Sequence, residues 1–191
     1  MREVIKTETL NNFKDFSSGV GASLKIPTKL DIDSGGALQY LTINIEKELD
    51  NSKIVINQTF SYLFSQPEEL VAQTGLILTI KKTVRSDFYL HFWQRELMDR
   101  IFSKDRINSG NPIFNKTFSV RSNNPNIVNS IFTNSNVQDL FLNNKFLVFN
   151  VNSNGREIKI KLKNMVLKKY ETEEIENYYN NLLFINNLIK V

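Results

Sequence analysis

Apolar and polar residues alternate with a period of two over several stretches of this chain, the pattern of strands buried on one face. Leu41, Ile43 and Ile45 alternate with Thr42, Asn44 and Glu46. After Asp50, Asn51 and Ser52, residue types that favour turns, Ile54 and Ile56 resume the alternation as far as Phe60, which predicts a β-hairpin. Residues 75–84 predict another strand, with Pro67, Glu68 and Glu69 ahead of it as a loop or a single helical turn. Tyr89 to Trp93 is aromatic and strand-like. Leu97, Met98, Ile101 and Phe102 then follow at helical spacing, so a strand gives way to a helix near Gln94.

The run from Asn108 to Pro112 is the strongest loop signal, with Gly110 and Pro112 as breakers. Thr117 to Arg121 reads as a short strand. Asn124 then fits a helix N-cap and Pro125 the first helical position, with Ile127, Val128, Ile131 and Phe132 on one side. A second helical piece, residues 136–142, turns Val137, Leu140 and Phe141 inward. Asn154-Gly155 is the preferred pair for a two-residue type I′ hairpin turn, because both positions need positive φ. That turn sets Ser153 against Arg156, Val151 against Ile158, Phe149 against Ile160 and Leu147 against Leu162, so the six apolar residues share a face. The chain closes with a helix predicted from Thr172 as N-cap and from Glu173, Glu174 and Glu176 at its start. Its apolar stripe runs from Ile175 through Tyr178, Tyr179, Leu182 and Ile185 to Ile189. At the other end, residues 1–20 predict a loosely packed helix or arm that stops at Gly19 and Gly21.

Together these elements predict one α+β domain over residues 1–191. It would be a mostly antiparallel sheet of five to seven strands with two to four helices on one face, near 94–103, 125–142 and 172–189. A chain of 191 residues with 41% hydrophobic residues is long and apolar enough for a proper core. The absence of Cys removes disulfides, thiolate metal sites and Cys catalysis. The longest apolar runs are four residues, far below the roughly 20 that span a bilayer, and no signal peptide is recognisable. A cytoplasmic protein without a membrane span is the expectation. Asparagine occurs 25 times, often in pairs, and its places fall in turns and on polar helix faces.

Candidate chemistry is sparse. His91 is the one histidine, so a Ser-His-Asp triad or a His-based metal site would have to use it; its place in an aromatic run predicts a structural role. Asp31 to Gly36 starts like a calcium loop but has Thr42 where a bidentate Glu is required. Gly19-Val20-Gly21 lacks the strand and helix that a dinucleotide fingerprint needs. No catalytic residue, metal ligand or cofactor site emerges. The net charge of +4 is partly gathered on one strand as Lys159, Lys161 and Lys163, with Arg156 and Phe146 beside them and Lys168 and Lys169 beyond. Such a face could bind single strands, since bases stack on aromatic rings and phosphates pair with cations. Only one aromatic is legible there, Phe146, and alternating Lys also guards an exposed strand from edge pairing.

The stretch from Phe118 to Pro125, the helix through Ile131 and Phe132, the segment to Leu142 and the hairpin from Phe146 resemble an uncharacterised bacterial family, a domain of unknown function. With the upstream strands from Gln58-Thr59-Phe60 to Ile80, the resemblance covers about residues 55–165. It implies a soluble domain of strand, helix and hairpin and supplies no catalytic residues. Members of that family usually carry a pair of membrane helices ahead of the domain, and no such pair is read in this sequence. With no reactive constellation in the chain, the expected role is a non-catalytic binding or protein-interaction module, with a protein partner or a homodimer. The alternatives are single-stranded nucleic-acid binding through the Lys-rich face and a hydrolase built on carboxylates or His91.

Overall fold

The computed structural model describes residues 7–27, 31–32, 36–63, 65, 70–83, 87–95, 109–144, 147–154, 157–164 and 170–189. They group into two compact units. One comprises residues 1–79 and 164–179, the other residues 80–163 and 180–191.

In the first unit, helix α1 (Thr7–Gly19) buries Phe13 and Phe16 completely, and the Phe16 ring meets Tyr179 edge-on at 5.5 Å. Its end explains the Gly-x-Gly of the sequence. Gly21 has φ +64°, the Ala22 N–H reaches back to the Ser17 carbonyl and the Gly21 N–H to that of Ser18, the two bonds of a Schellman cap. The strands are β1 (Ser23–Lys25), β2 (Asp31–Ile32), β3 (Leu38–Leu49), β4 (Ser52–Leu63), β5 (Leu70–Gln73) and the start of β6 (Ile77–Thr83). β3 and β4 form the expected hairpin, with Leu49 opposite Ser52 and Leu41 opposite Phe60. Leu41, Ile43, Ile45, Ile54, Ile56 and Phe60 are all buried, as the alternation requires. β1 and β2 add to β3 and β5 to β4, all antiparallel.

The rest of β6 opens the second unit, followed by β7 (Tyr89–Gln94), α2 (Pro112–Thr117), β8 (Phe118–Ser122), α3 (Pro125–Phe132), α4 (Ser135–Asn143), β9 (Leu147–Asn154) and β10 (Glu157–Asn164). The strand order there is β6-β10-β9-β7-β8. β7 pairs antiparallel with both β8 and β9, setting Phe92 opposite Val120 on one side and Phe149 on the other. Phe92 is the centre of the core: its ring lies 4.7 Å from Phe132, 4.8 Å from Phe118 and 4.4 Å from Phe141. Three helices start on asparagine side chains. The Asn111 Oδ1 accepts from Ile113 and Phe114, Asn124 from Ile127, and Asn134 from Asn136 and Val137, each satisfying N–H groups that the first helical turn leaves without partners. In the last helix, α5 (Thr172–Leu188), Ile175, Tyr178 and Tyr179, which belong to the first unit, and Leu182 and Ile185, which belong to the second, are buried.

The architecture is α+β with antiparallel pairing wherever a register is described. Among the described residues there are ten strands and five helices, more than the five to seven strands and two to four helices expected. The additions are short: β1, β2 and β5 have three, two and four residues, too few to display an alternation, and they form because β3 and β4 offer free backbone edges. α2 was hidden by Pro112, which does not break a helix there but begins one, its missing N–H falling where no partner would exist. Thr172 is not the N-cap of α5. It lies inside the first turn and its hydroxyl donates to the Asn12 carbonyl at 3.3 Å. The Glu174 carboxylate instead accepts from the Glu171 N–H at 3.4 Å, half of a capping box. The helix expected near 94–103 lies largely outside the described residues, as does the Gly155 turn.

Candidate functional site

Strand alternation gives the second unit's sheet an outer face opposite its Phe-lined core. On β10, Ile158, Ile160 and Leu162 are buried and Lys159, Lys161 and Lys163 point the other way. On β9, Leu147, Phe149 and Val151 are buried, leaving Val148, Asn150 and Asn152 outward. The six apolar residues of this hairpin therefore share the core face, as expected. On β7, Leu90 and Phe92 are buried, which turns Tyr89, His91 and Trp93 outward beside the β9 residues. Register makes this explicit: His91 stands opposite Asn150 of β9 and Arg121 of β8, and Tyr89 opposite Asn152.

The outer face thus carries a row of lysines on β10, a row of aromatic rings on β7, and asparagines on the strand between them. Successive outward residues of a strand are about 6.7 Å apart and neighbouring strands about 4.8 Å, so the two rows run side by side roughly 10 Å apart. Lys81 of β6 and Arg121 of β8 extend the positive charge to both sides. Glu157 is the one carboxylate among the described outward residues of these strands. No carboxylate among the described residues forms an ion pair with any of the five cations. Lys82, next in sequence to Lys81, faces the other way and donates to the Ile189 carbonyl at 2.7 Å, closing the end of α5. Burial holds its ammonium below the usual lysine range.

The platform is held from behind and at its end. The Tyr89 N–H donates to Asn123 Oδ1 at 3.0 Å and its carbonyl accepts from the Ser122 hydroxyl at 2.7 Å, tying the start of β7 to the end of β8. The Tyr89 and His91 rings lie 5.9 Å apart, and His91 Nδ1 is 3.3 Å from Asn150 Oδ1. His91 is therefore an exposed side chain on the outer face, outside the packed Phe core. Its described polar neighbour is an amide, so no triad geometry forms around it among the described residues.

Of the five residues singled out in the sequence, Lys159, Lys161 and Lys163 lie together on this face, whereas Phe146 and Arg156 fall outside the described residues. Sequence reasoning did not place Tyr89, Trp93 or His91, the last considered there only for triad, metal or structural roles, on the same face as the lysines. The signal was there, since Leu90 and Phe92 alternate with them, but nothing local says that β7 lies next to β9. Asp31 sits in a two-residue strand, and the described residues contain no group of three His, Cys, Asp or Glu able to hold a metal ion. None of the helices among the described residues is long and apolar enough to cross a membrane.

Compared with family models, with curated proteins and with solved structures, the chain finds no significant match.

Proposed function

We propose that this protein is a non-catalytic binding module and that the outer face of the second unit's sheet is its binding surface, directed at an anionic partner. The observation that carries this is the gathering of five cations around three outward aromatic side chains with one carboxylate among them. Cations left without carboxylates keep their charge available to a ligand, and rings on a sheet face supply contact area at little entropic cost.

The test is retention of the full chain on immobilised dextran sulfate, eluted with a salt gradient. Lys159→Glu with Lys161→Glu is expected to abolish retention. Lys14→Glu with Lys116→Glu removes the same charge from exposed helix positions outside the face and is expected to leave most of it. Equal loss from both pairs would reduce the effect to net charge, and no retention of the unaltered protein would refute the proposal.

A further inference from the structure

We infer that the anionic partner is a single-stranded nucleic acid whose bases stack on the β7 rings while its phosphates follow the β10 lysines. This rests on the binding-face reading above and adds the class of ligand. A surface that met an anion by charge alone would not need its aromatic row. Here Tyr89 is 38% exposed on a strand whose alternate side chains, Leu90 and Phe92, are buried in the core, and its ring lies 5.9 Å from that of the exposed His91. Two exposed rings, Tyr89 and His91, on the same sheet face as a lysine row suit a ligand that alternates flat π-faces with negative charge, which a single strand does at every nucleotide. The strand between the two rows contributes Asn150, whose amide both donates and accepts and so can meet base edges.

A duplex does not fit this arrangement, because its bases are stacked on each other and closed to side-chain rings. An acidic peptide would satisfy the lysines and leave the rings unused. The β7 platform is also rigid where stacking needs it to be: the Tyr89 backbone is fixed on both its N–H and its carbonyl by Asn123 and Ser122. Its inner neighbours Leu90 and Phe92 are fully buried.

Trp93 is the one tryptophan of the chain and stands on this face, so its fluorescence reports directly on the platform. The experiment titrates the full chain with a single-stranded oligothymidylate of roughly 15 nucleotides, within the span of a domain-sized site. The same sequence as a duplex is titrated in parallel, and dextran-sulfate retention is measured on each variant. The expected result is quenching of Trp93 by the single strand, with affinity at least ~10-fold above the duplex. Affinity should fall with salt at a slope of about 0.7 per phosphate contact, and by about two contacts less in Lys159→Glu with Lys161→Glu. Tyr89→Ala should weaken the single strand roughly 10-fold or more, Tyr89→Phe should restore it, and neither should change dextran-sulfate retention. Thermal melts of the exposed-site variants should match that of the parent, separating lost binding from lost folding. If the oligothymidylate and the duplex bind alike, or Tyr89→Ala leaves the single strand unaffected while dextran sulfate is still retained, the ligand is a different anion. The inference then falls and the binding-face reading stands. If dextran sulfate is not retained, both fall together.

Discussion

On the outward side of the first unit's hairpin, Glu46 stands between two lysines, 2.6 Å from Lys25 and 2.9 Å from Lys53, and Lys53 reaches Glu48 at 3.2 Å as well. Further along the same face the Thr42 and Thr59 hydroxyls bond across the strands at 2.9 Å. Polar groups there are matched within the sheet. The outward side of the second unit's sheet is built from equally regular strands, yet its lysines stand in a row with no acidic row beside it, and aromatic rings take the place of the threonine pair. Both faces are solvated sheet surfaces with the same period-two origin. The difference teaches that exposure alone does not make a binding surface: a face whose charges are satisfied by its neighbours has little left for a partner.

The sharpest way to break this comparison is at the strand that separates core from surface. Phe92→Ala is expected to cost about 3–5 kcal/mol, because it opens a cavity among Phe118, Phe132 and Phe141. His91→Ala, one residue away on the outer face, should stay within about 0.5 kcal/mol. Urea melts of both variants decide it, and similar losses would mean that the outer face is packed rather than free. A second change gives the second face what the first one has. Asn150→Glu places a carboxylate beside His91 in the middle of the positive surface, and an added like charge near a bound anion costs about 1 kcal/mol at 4 Å in water. Oligothymidylate affinity should drop roughly fivefold with little change in melting.

Smaller effects test the first face. A double-mutant cycle on Thr42→Val and Thr59→Val should return a coupling of about 0.2–1 kcal/mol, read from chemical denaturation, with no effect on polyanion retention. The smallest effect concerns Glu46, whose carboxyl is held down to about 2 from an ordinary 4.5, first by its bond to Lys25 and then by that to Lys53. A depressed carboxyl contributes stability that is present above pH 4.5 and is lost as pH falls towards 2. In Glu46→Gln this part of the acid limb should flatten, and in the parent protein salt should weaken it, since the pair faces solvent. Thermal melts between pH 2 and pH 5 at two ionic strengths measure both.

Much of the local structure was legible. The β3–β4 hairpin, the burial of all six apolar residues of β9 and β10, and the Asn124 cap with Pro125 behind it follow from side-chain period and from N–H groups that need acceptors. Asparagine abundance also acquires a structural use, since three helices of the second unit begin on it. Other features were not legible, for definite reasons. Pro112 marks either a break or a first turn, and only the position of Asn111 before it decides which. Thr172 has the right chemistry for a cap, but a carbonyl from α1 takes its hydroxyl. Short strands such as β5 exist only because a longer neighbour pairs with them.

By itself, the sequence determined which residues of each strand go in and which go out, because alternation is a property of the extended backbone and every neighbour sees it. It determined equally that no thiol chemistry is available and that charge collects on Lys159, Lys161 and Lys163. Strand order belongs to the tertiary structure alone. β7 and β9 are joined by pairing residues about sixty positions apart, such as His91 with Asn150, and no local period encodes such a contact. That pairing turned three aromatic residues, legible only as part of a strand-like run, into one half of a surface whose other half was the lysine row.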